Sequence, residues 1–253
     1  MNNSMRLLKS SRKYHKWLMA FVGLQFVIWS VSGAYMVYFD IDYIHGDTLV
    51  KNAQHKIEPQ QVRFPLQTLL QQYPEARHIA LEVLLDRVVY RFVLGDEKYI
   101  VDASSGEMLS PLSQDIAEQL AQAHYTGNGT ISSVELLTGQ APFELNPAAL
   151  PAWRVNFADM GAPAIYISAR TGQLVGKRHD YWRLFDWMFR FHVMDYDDGD
   201  DIDNTLLLVF GLLSVLATLT GIVLIYFHVI RKPGNTSRSG KPSVRAAKDV
   251  AAW

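Results

Sequence analysis

Three histidines stand where an imidazole could act as a metal ligand. His15 lies two residues before an apolar run from Trp17 to Phe39, and His228 directly follows a second run from Thr205 to Phe227. His192 lies in an aromatic stretch with Tyr181, Trp182, Phe185, Trp187, Phe189 and Phe191. Neutral imidazole nitrogen ligates haem iron, and a six-coordinate iron takes one ligand on each side. If the two runs are antiparallel helices, His15 and His228 come to one depth. At about 100° per residue, Gly33 points the same way as His15, with Met19 and Phe26 near that direction. Ser214, Ala217 and Gly221 fall on the side of His228. Small residues let helices approach or leave room for a flat ligand. The same positions also suit a plainer role, because Tyr14, Trp17 and Tyr226 are the aromatic company of a membrane interface. His192 could ligate a second haem near the outer surface, or hydrogen-bond within the junction between domain and span. His45, His55, His78, His124 and His179 lie in polar loops or at element ends and read as solvated or locally bonded.

The acids Asp195, Asp197, Asp198, Asp200, Asp201 and Asp203 offer many oxygens, as Ca²⁺ prefers. Gly199 is at the wrong offset for an EF-hand loop and no Glu closes it. The plainer reading is that acids favour a helix N-terminus and that Asp203 or Asn204 caps the second run. The chain has no cysteine, which excludes disulfides and thiolate sites. No nucleophile motif, phosphate loop, dinucleotide fingerprint or zinc pattern is present, and nothing points to nucleic acid.

The elements that must position these groups begin with the two runs. Neither contains Asp, Glu, Lys or Arg, and each exceeds the ~20 residues a helix needs to cross a bilayer. Arg6, Lys9, Arg12, Lys13 and Lys16 precede the first; Arg231, Lys232, Arg238, Lys241, Arg245 and Lys248 follow the second. Residues 40–204 hold 13 Lys+Arg against 24 Asp+Glu, so the near-neutral total hides a strong asymmetry. Basic flanks stay cytoplasmic, which puts both termini inside and the acidic domain outside. The first run is too long for a cleaved leader and reads as an uncleaved anchor. The expected organisation is a cytoplasmic basic segment 1–16, a span 17–39, an outer domain 40–180, an amphipathic membrane-surface segment 181–204, a span 205–228 and a basic tail 229–253 that could touch anionic lipid.

Within the outer domain, residues 40–60 read as a polar linker. A short helix is expected from Leu66 to Tyr73, then strands at His78–Leu84, Val88–Leu94 and Lys98–Asp102, then a helix from Gln114 to His124. A second cycle follows, with Ser132 to Leu137 expected as a helix and Trp153–Phe157 and Ala164–Ser168 as strands. Tyr99–Leu109 lines up with Ile165–Val175 as strand, turn, Ser/Thr-Gly, strand, with Gly106 and Gly172 at the reversals. This reads as a duplicated helix-plus-hairpin unit, with repeats at about 62–125 and 130–178. Residues 184, 185, 188 and 191 give the 181–204 segment an apolar helical face for the outer membrane surface.

Three stretches resemble the PepSY family, in its PepSY-associated transmembrane branch. They are Arg12-Lys-Tyr-His15-Lys-Trp17 with Ile28-Trp29-Ser-Val-Ser32-Gly33, the paired strand-Ser/Thr-Gly hairpins, and Trp187-Met-Phe-Arg-Phe-His192-Val-Met-Asp195-Tyr196 followed by the acids, Asn204 and a span with Thr220-Gly221. The resemblance implies an α+β membrane protein of the bacterial inner membrane, in which two antiparallel transmembrane helices flank a periplasmic α+β domain of duplicated PepSY-like units. Larger members look like iron–siderophore reductases with haem b between helices, and others like membrane partners of flavin reductases. With that resemblance, the expectation for this chain is electron transfer toward a ferric chelate through haem b, with His15 and His228, picked out by their placement, and His192 as the candidate ligands. Two spans instead of about four put a self-contained electron path in one chain in doubt, and a homodimer with a four-helix core is the better host for a porphyrin. PepSY units also serve as binding or inhibitory modules, so a haem-free tethered module, or an accessory subunit of a larger membrane complex, is the alternative.

Overall fold

A computed structural model describes residues 3–51, 56–197, 199 and 201–230. The basic tail beyond 230, His55, Asp198 and Asp200 lie outside the described residues. The helices are α1 (Asn3–Tyr38), α2 (Ile41–Ile44), α3 (Leu66–Gln72), α4 (Gln114–His124), α5 (Asp180–Val193) and α6 (Thr205–Ile225), the last continued by a π-helical turn, Tyr226–Ile230. The strands are β1 (Arg77–Leu84), β2 (Arg87–Leu94), β3 (Glu97–Asp102), β4 (Thr130–Leu137), β5 (Ala152–Ala158), β6 (Ala164–Ser168) and β7 (Leu174–Arg178). The chain divides into two compact units, one of residues 1–27 with 203–253 and one of residues 28–202.

In the first unit, α1 meets α6 in antiparallel fashion. Both helices are long and apolar enough to cross a membrane. Asn204 starts α6, its side chain accepting the Leu207 N–H at 2.8 Å, which satisfies one of the free donors of a helix N-terminus. The contact runs through Val22 and Ala217, each 1% exposed, and through Phe21 stacked on Phe210 with ring centroids 5.5 Å apart.

In the second unit, two antiparallel sheets, β1-β2-β3 and β4-β5-β6-β7, share one core with α4. Alternation along β2 explains the layering. Val88, Tyr90 and Phe92 face Leu69 of α3, while Val89 faces the shared core, where Leu84 and Ile100 meet Leu120 and Ala121 of α4 and Val155, Phe157, Ile165 and Ile167 of the second sheet. Gly106 and Gly172 close their hairpins at φ 76° and 68°, a region that glycine enters without penalty.

Two expectations are corrected. Ser132–Leu137 belongs to strand β4, and the helix that packs on the four-stranded sheet is α4. Ile131, Val134 and Leu137 recur every third residue, as on a helix face, but a register shift between Ile131 and Ser133 puts Ile131 and Val134 on the shared core, while Leu137 packs on the opposite face with Leu145 and Tyr166. Residues 40–51 are not a free linker. Asp40 caps α2, Ile44 is fully buried, and Val50 bridges to Tyr125 at the end of α4.

Candidate functional site

The first unit holds His15 and His228. The His15 ring lies against α6, its Nδ1 3.0 Å from the carbonyl of Ala217 and 3.1 Å from the hydroxyl of Thr220. A carbonyl only accepts, so Nδ1 carries the proton and Nε2 carries the lone pair in the neutral ring. Gly221 makes room for the ring, because a Cβ there would come within 3.2 Å of His15 Cε1. His228 donates its Nδ1–H to the carbonyl of Leu224 at 2.9 Å, and its Nε2 accepts from the Arg12 guanidinium at 3.1 Å.

The register between the helices revises the expectation of equal depth. His15 faces Ala217–Gly221, and Phe21 faces Phe210. His228 lies seven residues beyond Gly221, about 10 Å further along the axis. Equal depth followed from aligning the ends of the two apolar runs, but packing staggers them and sets Thr205 near the level of Phe26. Among the described residues no hydrogen bond or ring contact joins His15 to His228.

In the second unit, His192 sits on α5 against the C-terminal turns of α1. Its Nδ1 is 2.9 Å from the Ser32 hydroxyl. Ser32 gives its own proton to the Ile28 carbonyl at 2.8 Å, so His192 is the donor and its Nε2 is the acceptor. Trp29 donates its indole N–H to the His192 carbonyl at 2.7 Å, and Tyr35 donates to the Tyr181 carbonyl at 3.0 Å. A Cβ on Gly33 would meet His192 Cε1 at 3.4 Å, so Gly33 and Ser32 together seat the ring. The partners of His192 thus include Trp29 and Ser32, both on the Ile28–Gly33 stretch that carried the resemblance.

These are the surroundings expected of ligating imidazoles in one respect. A ligating histidine usually donates its second ring N–H to an oxygen, which fixes ring and tautomer. His15 and His192 do so, and neither Nε2 makes a hydrogen bond among the described residues. In another respect a haem shared by His15 and His228 of one chain does not fit. Direct contact between α1 and α6 leaves no gap for a porphyrin, and Arg12 occupies Nε2 of His228. Among the described residues no cluster of three or more His, Cys, Asp or Glu could hold a metal ion. Among the described acids, Asp195 works locally, its carboxylate accepting the N–H groups of Asp197 and Asp201.

His179, in contrast, is fully committed. It is 2% exposed, caps α5 by accepting the Trp182 N–H, and donates Nε2–H to the Tyr43 carbonyl at 2.8 Å. Glu144, 3% exposed, ties α5 to the sheet by accepting two bonds from Arg183 at 2.6 and 3.0 Å and one from Tyr166.

The sequence model of the PepSY-associated TM region matches residues 12–250. The chain belongs to that family. No curated protein and no solved structure matches it. Membership of the PepSY-associated TM family, with two apolar helices of spanning length, makes this a membrane protein in contact with a lipid bilayer. The match takes in both spans, the central domain, and the residues around His15, His192 and His228.

Proposed function

We propose that the chain is an inner-membrane electron-transfer protein of b-type cytochrome character, carrying electrons outward to a ferric chelate or another periplasmic acceptor. The observation that carries this reading is the shared pose of His15 and His192: each gives Nδ1–H to an oxygen and keeps Nε2 uncommitted. Haem b, when bound, supplies one-electron transfer. The protein's part is to hold Nε2 in the ligating tautomer, through Ala217 and Thr220 for His15 and through Ser32 for His192. Because one chain does not hold a porphyrin between His15 and His228, a second copy is the proposed source of the remaining ligand and of the apolar walls. A cytoplasmic or membrane flavin reductase is the proposed donor.

The contrary observation, direct packing of α1 on α6, favours the haem-free tethered module. The test is a dithionite-reduced minus oxidised absorbance spectrum of the detergent-purified protein expressed with ample haem. A reduced α-band of haem b is expected. His15→Ala and His192→Ala should each lower the haem-to-protein ratio, while His228→Ala should leave it near wild type. A colourless protein with no haem in a pyridine extract would reject the cytochrome reading in favour of the tether.

A further inference from the structure

The central domain carries an open cleft of about 490 Å³, within the size range of small-molecule sites. Its walls are the end of β1 with the turn into β2, the C-terminal end of α4, and the hairpin after β6, with Lys51 and His124 at one side. One of its lining residues, Arg91, is out of keeping with its place in the sheet. Alternation along β2 puts Arg91 on the face of Val89, which looks into the shared core. Its side chain is 11% exposed. One N–H donates to the Thr171 carbonyl at 2.9 Å, and the guanidinium pairs with Glu82. The Nε–H is buried and has no acceptor among the described residues.

A buried cation with an unmet donor is costly unless something supplies the missing oxygen. Valine or leucine would satisfy this inward position at no such cost. Glu82 is a weak fixture, since it is 40% exposed and stands on β1, an edge strand of its sheet. Swinging outward, it would open the guanidinium to the cleft.

We propose that this cleft binds a carboxylate group, with Arg91 as its anchor and Glu82 as the internal carboxylate that it displaces. Guanidinium is suited to carboxylate by charge and by its planar array of donors; Lys51 beside the cleft is offset by Asp86 in the turn after β1, so Arg91 carries the recognition. The carboxylate comes from a free organic acid or from a peptide C-terminus. The proposal stands apart from the haem reading, since it concerns other residues.

The test is calorimetric titration of the full-length, detergent-solubilised protein with citrate, with trialanine, and with trialanine amide. Saturable binding of citrate alone identifies a free acid as the ligand type. Binding of trialanine but not of its amide identifies a peptide C-terminus. Arg91→Gln should weaken the active probe at least tenfold, and Glu82→Gln should tighten it several-fold by removing the competitor. The Glu82 variant keeps the test decisive should Arg91→Gln fail to fold. Absence of binding to both wild type and Glu82→Gln, or unchanged affinity in Glu82→Gln, overturns the proposal.

Discussion

His179 shows how much one buried ring can fix. It caps α5 and holds the carbonyl of Tyr43 at the same time. Burial pulls its pKa below the ordinary histidine value, against the opposing pull of the Tyr43 bond. A depressed histidine pKa means that the unfolded chain binds protons more readily, so the ring's contribution is complete above the ordinary histidine range and is lost as pH falls through it. Thermal melts of the purified protein should therefore drop between neutral pH and pH ~5. His179→Asn, which can still cap but does not titrate, should start about 1 kcal/mol lower for the lost hydrogen bond and show a shallower pH dependence. An unaltered pH slope would remove His179 as the cause. Glu144 carries a larger consequence. Burial alone would raise its pKa, but the bonds from Arg183 and Tyr166 outweigh this and hold it low. Glu144→Ala leaves the buried Tyr166 hydroxyl without its acceptor and Arg183 with only Asp180 and the Ala162 carbonyl, and should destabilise the central domain by about 1–3 kcal/mol, read as a fall in the denaturation midpoint. The sequence offered little warning of either role. The partners of Glu144 lie 22 and 39 residues away, and no local pattern marks such a pairing.

Elements were more legible than their partners, because periodicity is local and packing is not. Helix α4 and strand β6 have the bounds expected from their patterns, whereas β4 imitates a helix through its three-residue spacing. Helix α5 was legible as amphipathic, yet which face turns outward needed the fold. His192 and Tyr181 lie against α1, Arg183 pairs with Glu144, and the outward residues are Leu184 and Trp187, with half-buried Phe191 beside them. Leu184 and Trp187 are 44% and 52% exposed, and the ring chain continues from Trp187 through Phe191 to Tyr196. An exposed apolar stripe on a helix joined to a membrane span is suited to the acyl–headgroup boundary. If α5 rests there, fluorescence of the protein in bilayers should be quenched by lipids brominated near the headgroup end of the chain more than by those brominated near its tip. The quenched component should shrink in Trp187→Phe. Equal quenching in the two proteins would place Trp187 away from lipid. On α6, a side chain at Gly221 would crowd the His15 ring. Gly221→Leu should displace that ring and, under the cytochrome reading, reduce haem content as far as His15→Ala does.

For the whole molecule, charge separates the chain more sharply than any motif does. Residues 40–204 carry 24 acids against 13 bases, while the segments beyond the spans are basic. Moving that acidic stretch across a bilayer and retaining the basic flanks is the arrangement favoured during insertion. The reading of outward electron flow depends on it, because the acceptor must meet the face on which the central domain stands. The chain has no cysteine, so a single introduced thiol reports sidedness without background. Ser10 on α1 and Gln140 in the loop after β4 are both exposed, and a thiol at either should leave the fold intact. In spheroplasts, Gln140→Cys should react with a membrane-impermeant maleimide at once, and Ser10→Cys only after the membrane is permeabilised. The reverse pattern would put the acidic domain in the cytoplasm. An external chelate could then not reach the central domain, and a cytochrome reading would survive only with electrons running to an internal acceptor.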